Sequence, residues 1–223
     1  QAFSVMGIGP QDNIFSIDAA ELEQRLKKCP AIRRASVKRQ ISSNPTLLVD
    51  IDARIPVAWI DCPELGIHPG DATYGALADK EGVIFPCMEQ VHMPYIREKR
   101  MPSVTLRPPS SGKLSYGVSI RELEAPMKLI ELLSGTVTEY LPSIVSITTP
   151  NDWSFCVRFT NDCQATFSHY GLEHQVEKLS RALRHARQTH RKISSINLIP
   201  EHNIPVIFDN SYEDIPLAEP IEE

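Results

Sequence analysis

No run of about 18 or more apolar residues occurs in this 223-residue chain, so no segment of it reads as a membrane-crossing helix. Its start, Gln-Ala-Phe-Ser-Val, lacks the basic region that opens a signal peptide. Gln1 is no initiator residue, which leaves room for an upstream anchor or signal. The five cysteines, Cys29, Cys62, Cys87, Cys156 and Cys163, include no CxxC pair and leave an odd one over. Neither a zinc site nor a disulfide framework is signalled. Motifs for metal-dependent hydrolysis (HExxH), nucleotide phosphates (a P-loop or GxGxxG) and a nucleophile elbow (GxSxG) are all missing. The seven histidines are scattered: His68 and His92 are expected in loops, His169, His174, His185 and His190 around a helix, and His202 in a turn. All seven read as surface residues. Asp50 and Asp52 share one face of a presumed strand, but alternation with Val49 and Ile51 marks that face as solvated. No catalytic residue, metal or cofactor is nominated, and the pattern favours a binding module over an enzyme.

What is present is an ordinary globular composition, 42% hydrophobic and 23% charged. The length suits one large domain or two small ones, and two is the better reading, because a helix-containing pattern gives way to strand and turn signals after Trp59. The net charge of -5 is uneven: Asp209, Glu213, Asp214, Glu219, Glu222 and Glu223 crowd the last fifteen residues, which hold no Lys or Arg. That tail, residues 209–223, reads as a disordered, solvated end, with ordering on a partner as the alternative. Two basic clusters, Arg25 to Arg39 and Arg181 to Lys192, read as solvated faces, with attraction to an anionic lipid or acidic partner as the alternative. The negative net charge and the absence of aromatics among the basic residues argue against nucleic acid.

The stretch from Asn13 to Trp59 is the most informative. Asp18 is suited to cap a helix, with Glu21 placed to close a capping box and Leu22 and Leu26 one turn apart on one face; Pro30 ends it. Ile32, Ala35 and Val37 interleave with Arg33, Arg34, Ser36 and Lys38, and Leu47, Val49 and Ile51 then alternate with Leu48, Asp50 and Asp52, as two half-buried strands around a turn at Ser42-Ser43-Asn44-Pro45. A hairpin is expected over Ala76 to Phe85, turning at Asp79 to Gly82. Residues 86–118 hold too many prolines for a long element, and an extended, surface-hugging stretch with a strand near Val104 is expected.

Further on, a helix is expected from about Glu124, with Pro126 in its first turn and Met127, Ile130 and Leu133 on one face. A strand at Ile144 to Thr148 and a hairpin over Trp153 to Ser168 follow. A three-residue loop at Thr160-Asn161-Asp162 puts Phe155, Val157 and Phe159 on the face of Cys163, Ala165 and Phe167. Cys156 then faces away from Cys163, against a disulfide. Leu172, Val176, Leu179, Leu183 and Ala186 mark an amphipathic helix. Two strands, Ile193 to Ile199 and Ile204 to Phe208, close the chain's ordered part. Pro205 within the second assigns it to a sheet edge, because proline cannot donate to a ladder. Such an edge can accept a strand from another chain, or can be covered by the acidic tail.

Taken in order, Asn13-Ile-Phe-Ser-Ile-Asp18, the stretch Leu26 to Arg39, Ala53-Arg-Ile-Pro-Val-Ala58, Asp79-Lys-Glu-Gly-Val-Ile-Phe85, Trp153 to Phe167, the helix from Leu172, and Ile193 to Leu198 resemble the extracytoplasmic part of the FtsQ/DivIB cell-division family. The resemblance implies an α+β fold: a POTRA-like domain over residues 1–59, an FtsQ-type β-domain over 60–208 with a mixed, bent sheet flanked by helices, and then the acidic tail. Ala2 to Gly7 fits the first POTRA helix, so the first POTRA strand is expected upstream or is missing. The resemblance implies a non-enzymatic divisome scaffold, single-pass in the inner membrane, with this region expected in the periplasm at the septum. The resemblance also implies that its last sheet edge binds FtsB/FtsL-like partners by strand addition, while other division proteins dock at the POTRA module. By position, the partner-binding residues are Ser195, Asn197, Ile204, Val206, Ile207 and Phe208. Two departures stand out: Pro205 deletes a donor in the pairing strand, and the loop from Asp61 to Tyr74 is long for the family. A POTRA-containing outer-membrane assembly or secretion factor is the alternative, but the alternating strands of a barrel do not follow.

Overall fold

The computed structural model describes residues 13, 15–41, 45–98, 101–135 and 141–209. The helix expected at Ala2 to Gly7, the turn residues 42–44 and the acidic tail beyond Asp209 lie outside the described residues. The chain divides into two compact units, Gln1–Met127 and Lys128–Glu223, so the change of pattern after Trp59 falls inside the first.

In the first unit, helix α1 (Ala19–Lys27) begins at Asp18, whose carboxylate accepts the N–H groups of Ala20 at 2.8 Å and Glu21 at 3.2 Å. Glu21 does not complete a capping box but pairs with Arg25, one turn along. Asp18→Ala is expected to cost about 1 kcal/mol, read as a lower urea midpoint, because two terminal donors lose their acceptor. Leu22 and Leu26 are buried against the ribbon β1 (Ile32–Gln40) and β2 (Thr46–Ala53), packing on Ala35, Val37, Leu47, Val49 and Ile51. Strict alternation would put Ile32 and Ala35 on opposite faces. A bulge between Ile32 and Arg34 adds one residue and brings both to the helix side.

The rest of this unit holds β3 (Ala58–Asp61), β4 (Ala76–Ala78), β5 (Ile84–Pro86) and β6 (Ser103–Thr105), in the order β6-β3-β4-β5, with β3 and β6 parallel and the other pairs antiparallel. A helix, α2 (Glu89–Glu98), stands where the prolines suggested extended chain. Pro94 removes one helical donor, but Ile96 and Met88 pack on the cluster of Ala31, Trp59, Leu77, Phe85 and Cys87, and His92 is fully buried. Burial of that face outweighs the lost hydrogen bond. His92 is therefore neither in a loop nor at the surface. Its Nδ1 accepts the Met88 N–H at 3.0 Å, its ring lies 5.2 Å from that of Phe85, and its buried Nε2 has no partner among the described residues.

Helix α3 (Arg121–Gly135) starts three residues earlier than its proline suggested. Pro126 is inside it rather than in its first turn, and the buried face of Leu123, Met127 and Ile130 carries the helix through.

In the second unit, β7 (Ile144–Thr148), β8 (Ser154–Phe159), β9 (Gln164–Ser168), β10 (Ile193–Asn197) and β11 (Val206–Phe208) run in the order β11-β10-β9-β8-β7, with β9 and β10 parallel. The fold is thus α+β with mixed strand pairing. The β8–β9 hairpin closes with Phe159 and Cys163 flanking a three-residue loop, and Asp162 takes the left-handed conformation at φ 64°. Phe155 faces Phe167, their rings 5.6 Å apart, and Val157 faces Ala165. Cys156 pairs with Thr166 in the ladder, and both it and buried Cys163 are free thiols. Burial pushes the Cys163 thiol up to about 11, so it stays protonated and unreactive at neutral pH.

Candidate partner-binding edge

The last strand is delivered to its place by helix α4 (Leu172–Gln188). Its apolar stripe buries Leu172, Val176, Leu179 and Ala186. Two polar residues buried on the same helix, Gln175 and Lys178, gave no sign of this in the hydrophobic pattern. Gln175 holds the end of β9, accepting the Ser168 N–H at 2.8 Å and donating to the Tyr170 carbonyl at 2.6 Å. Lys178 donates to the Pro200 carbonyl at 2.8 Å and so pins the loop that leads from β10 to β11. A charge that is nearly buried and aimed at a carbonyl spends its burial cost on fixing that loop.

β11 is hydrogen-bonded to β10 alone, and no other described residue pairs with its far side. The strand is shorter than expected, beginning at Val206, so that Ile204 and Pro205 precede it. Two bonds outside the strand set its phase: Asn197 N–H donates to the Pro205 carbonyl at 3.0 Å, and Asp209 N–H to the Lys192 carbonyl at 2.8 Å. Residues 205, 207 and 209 therefore turn their backbone groups towards β10. Val206 and Phe208, by the alternation of an antiparallel ladder, turn theirs to the open side. The donor that Pro205 lacks belongs to the β10 side. Its absence takes nothing from the open edge.

Side chains divide differently. Ile207 projects into solvent with 64% of its surface exposed, while Val206 and Phe208 are half-buried. Arg191 lies over the Phe208 ring, 4.8 Å from its centre. Lys192 sits between Asp162 and Asp209 at 4.0 and 3.9 Å, a weak, exposed arrangement. Ser195 and Asn197 are on β10, between β9 and β11, where Ser195 pairs with both Gln164 and Ile207. The Asn197 side chain accepts the Ile199 N–H at 3.1 Å. These two residues support the edge strand from behind; Val206, Ile207 and Phe208 form the edge itself. Arg191 and Lys192 belong with them, and from the sequence they read as part of a basic cluster, solvated or facing an anionic partner.

The β5 edge of the first unit offers a contrast. Gly117 donates to the Ile84 carbonyl at 2.8 Å, Ile120 to that of Gly82 at 3.1 Å, and Val83 bridges to Ser119. That edge is covered by the chain's own residues 117–120. Among the described residues no group of His, Cys, Asp and Glu could hold a metal ion, and no helix is long and apolar enough to cross a membrane.

Residues 3–52 match the family model described as POTRA domain, FtsQ-type. The chain therefore carries an FtsQ-type POTRA module, and this match supports an FtsQ/DivIB-like family. The described part of the match is α1 with the β1–β2 ribbon, so the helix that packs on Ala35 and Val37 is a POTRA helix on POTRA strands. A POTRA domain of this type points to a scaffold role in cell division, acting through protein–protein contact. No curated protein is significantly similar to the chain.

Proposed function

We propose that the chain is a non-enzymatic divisome scaffold, anchored in the inner membrane by an upstream helix, with this region in the periplasm at the septum. It has a POTRA domain over residues 1–59, a β-domain over 60–208 and an acidic tail over 209–223. It recruits FtsB/FtsL-like proteins by adding a strand of the partner to β11, while its POTRA module receives other division proteins. The observation that carries this reading is that no described residue pairs with the outer side of β11, where the N–H and C=O groups of Val206 and Phe208 point outwards from a strand held by β10, Lys178 and Arg191. Main-chain groups supply the affinity in such pairing, and Ile207, Val206 and Phe208 supply the side chains that an added strand would meet.

The test uses two kinds of variant against the FtsB/FtsL-like pair of the same organism. Val206→Glu puts a charge on the edge strand, as Phe208→Glu would. Val206→Pro removes one outward N–H and leaves the β10 bonds of residues 207 and 209 in place. Each is expected to weaken capture about tenfold or more, equivalent to at least ~1.4 kcal/mol, while circular dichroism stays unchanged. Full capture by folded Val206→Glu and Val206→Pro proteins would remove β11 as the binding edge.

A further inference from the structure

In the first unit Arg54 directly follows the POTRA ribbon, and its side chain, only 13% exposed, reaches into the strands that come next. Its Nη1 meets the Asp79 carboxylate at 2.6 Å and lies 3.7 Å from that of Glu81, while its Nε donates to the Pro30 carbonyl at 3.1 Å. Asp79 is itself 6% exposed, and its other oxygen accepts the N–H groups of Glu81 and Val83, each at 3.0 Å, within the β4–β5 turn. Glu81 also pairs with Arg33 of β1. The charges are complementary across the join: arginines on the POTRA side, carboxylates on the hairpin side. Apolar packing follows the same line, since Ala31 is buried in one cluster with Trp59, Leu77, Phe85 and Cys87, and Cys29 packs on it. The connection from Arg54 to Val57 is short, contains Pro56, and is tied down where Val57 donates to the Ala78 carbonyl. Residues 117–119 close over the same place, with Gly117 against Pro30 and Ser119 Oγ donating to the Glu81 carbonyl at 2.8 Å.

Modules joined within one chain move independently unless their interface is extensive and well packed, and a module as small as this one would be expected to swing. A buried ion pair whose members are fully hydrogen-bonded is worth little net stability over a hydrophobic replacement. Its geometry permits one arrangement, which is what a joint requires. We infer that Arg54 is a positioning residue that locks the POTRA module to the β3–β5 strands in a single orientation, so that the two turn as one body and a partner meets a fixed POTRA surface. The ion pair sets the angle; the apolar contacts supply the adhesion.

The experiment is backbone ¹⁵N relaxation on the full chain, which needs no partner, so its outcome is separate from that of the strand-addition reading. In the native chain the amides of α1, β1 and β2 are expected to report the same tumbling time as those of β3, β4 and β5; two times there would overturn the inference. In Arg54→Met/Asp79→Met, which removes both charges and leaves neither unpaired, the POTRA amides are expected to tumble about twofold faster than the strands, as a tethered small module would. Arg54→Lys/Asp79→Glu, which keeps the charges, restores a single time. A single time with unchanged residual dipolar couplings in the folded Met/Met variant would overturn the role of the ion pair. If the Met/Met variant does not fold, the couplings of the native chain decide: agreement with those calculated for one rigid arrangement of POTRA and strands supports the lock, and disagreement overturns it.

Discussion

Gly75→Ala is expected to destabilise the chain by about 3 kcal/mol or more, at the upper end of what overpacking costs. A Cβ at Gly75 would lie 2.1 Å from the Asp71 carbonyl oxygen and 2.8 Å from the ring of Trp59. The first is backbone and the second a buried side chain, so neither can swing aside. The loop is held from within: Asp71 accepts the N–H groups of Thr73 and Tyr74, the Gly75 N–H donates to the Asp71 carbonyl, and the Gly75 carbonyl accepts the Cys87 N–H at 2.8 Å. Relief of the clash must displace either this turn or Trp59, which belongs to the cluster with Leu77 and Phe85. Gly66→Ala is the contrasting case. Gly66 has φ 68° but open space around it, so the expected cost is only the ~1 kcal/mol of a left-handed alanine. Urea unfolding followed by Trp fluorescence distinguishes them; equal midpoints for the two variants would contradict the packing argument.

The second large effect is one of acidity. Burial pushes the His92 imidazole down from 6.5 to about 4, with no neighbouring charge to offset it. In the unfolded chain the ring takes up a proton near pH 6.5, and in the folded chain only near 4. Stability is therefore whole above pH 6.5 and declines as pH falls from 6.5 towards 4, by about 3 kcal/mol in all. Protonation would also turn Nδ1 into a donor facing the Met88 N–H, breaking the bond at the start of α2. His169 is shifted down as well, by burial, and acts in the same sense. Glu23, Asp71 and Glu173 have lowered carboxyl values, and their contributions disappear only when pH falls through the carboxylate range. Between pH 6.5 and 5.5 the slope thus belongs to the histidines. Subtracting the urea profile of His92→Gln, which keeps an acceptor for Met88 and does not titrate, isolates the part due to His92. A native chain as stable at pH 4.5 as at pH 7, after that subtraction, would refute it.

Much of the local structure is legible along the chain because its determinants are short-range. Asp18 caps α1, alternation marks β1, β2, β8 and β9, and a three-residue loop decides which faces Cys156 and Cys163 occupy. Prolines misled in three places. Pro94 and Pro126 lie inside helices because the burial of Ile96 in one, and of Leu123 and Met127 in the other, exceeds the loss of a single hydrogen bond. Pro205 falls outside β11 and faces β10, a matter of ladder phase that no one-dimensional pattern carries.

The amino-acid order by itself determined the α+β class, the POTRA signature and the presence of a terminal edge strand, since hydrophobic period, caps and turns act over a few residues and are written next to one another. Tertiary structure alone decided that Arg54 meets Asp79, that Lys178 holds Pro200, that His92 is sealed beside Phe85, and that Val206 and Phe208 turn their backbone outwards. Those pairings join residues brought together only when separate elements pack. Burial then makes such pairings consequential, because in the interior a charge, an imidazole or an amide without water must find its partner in the protein.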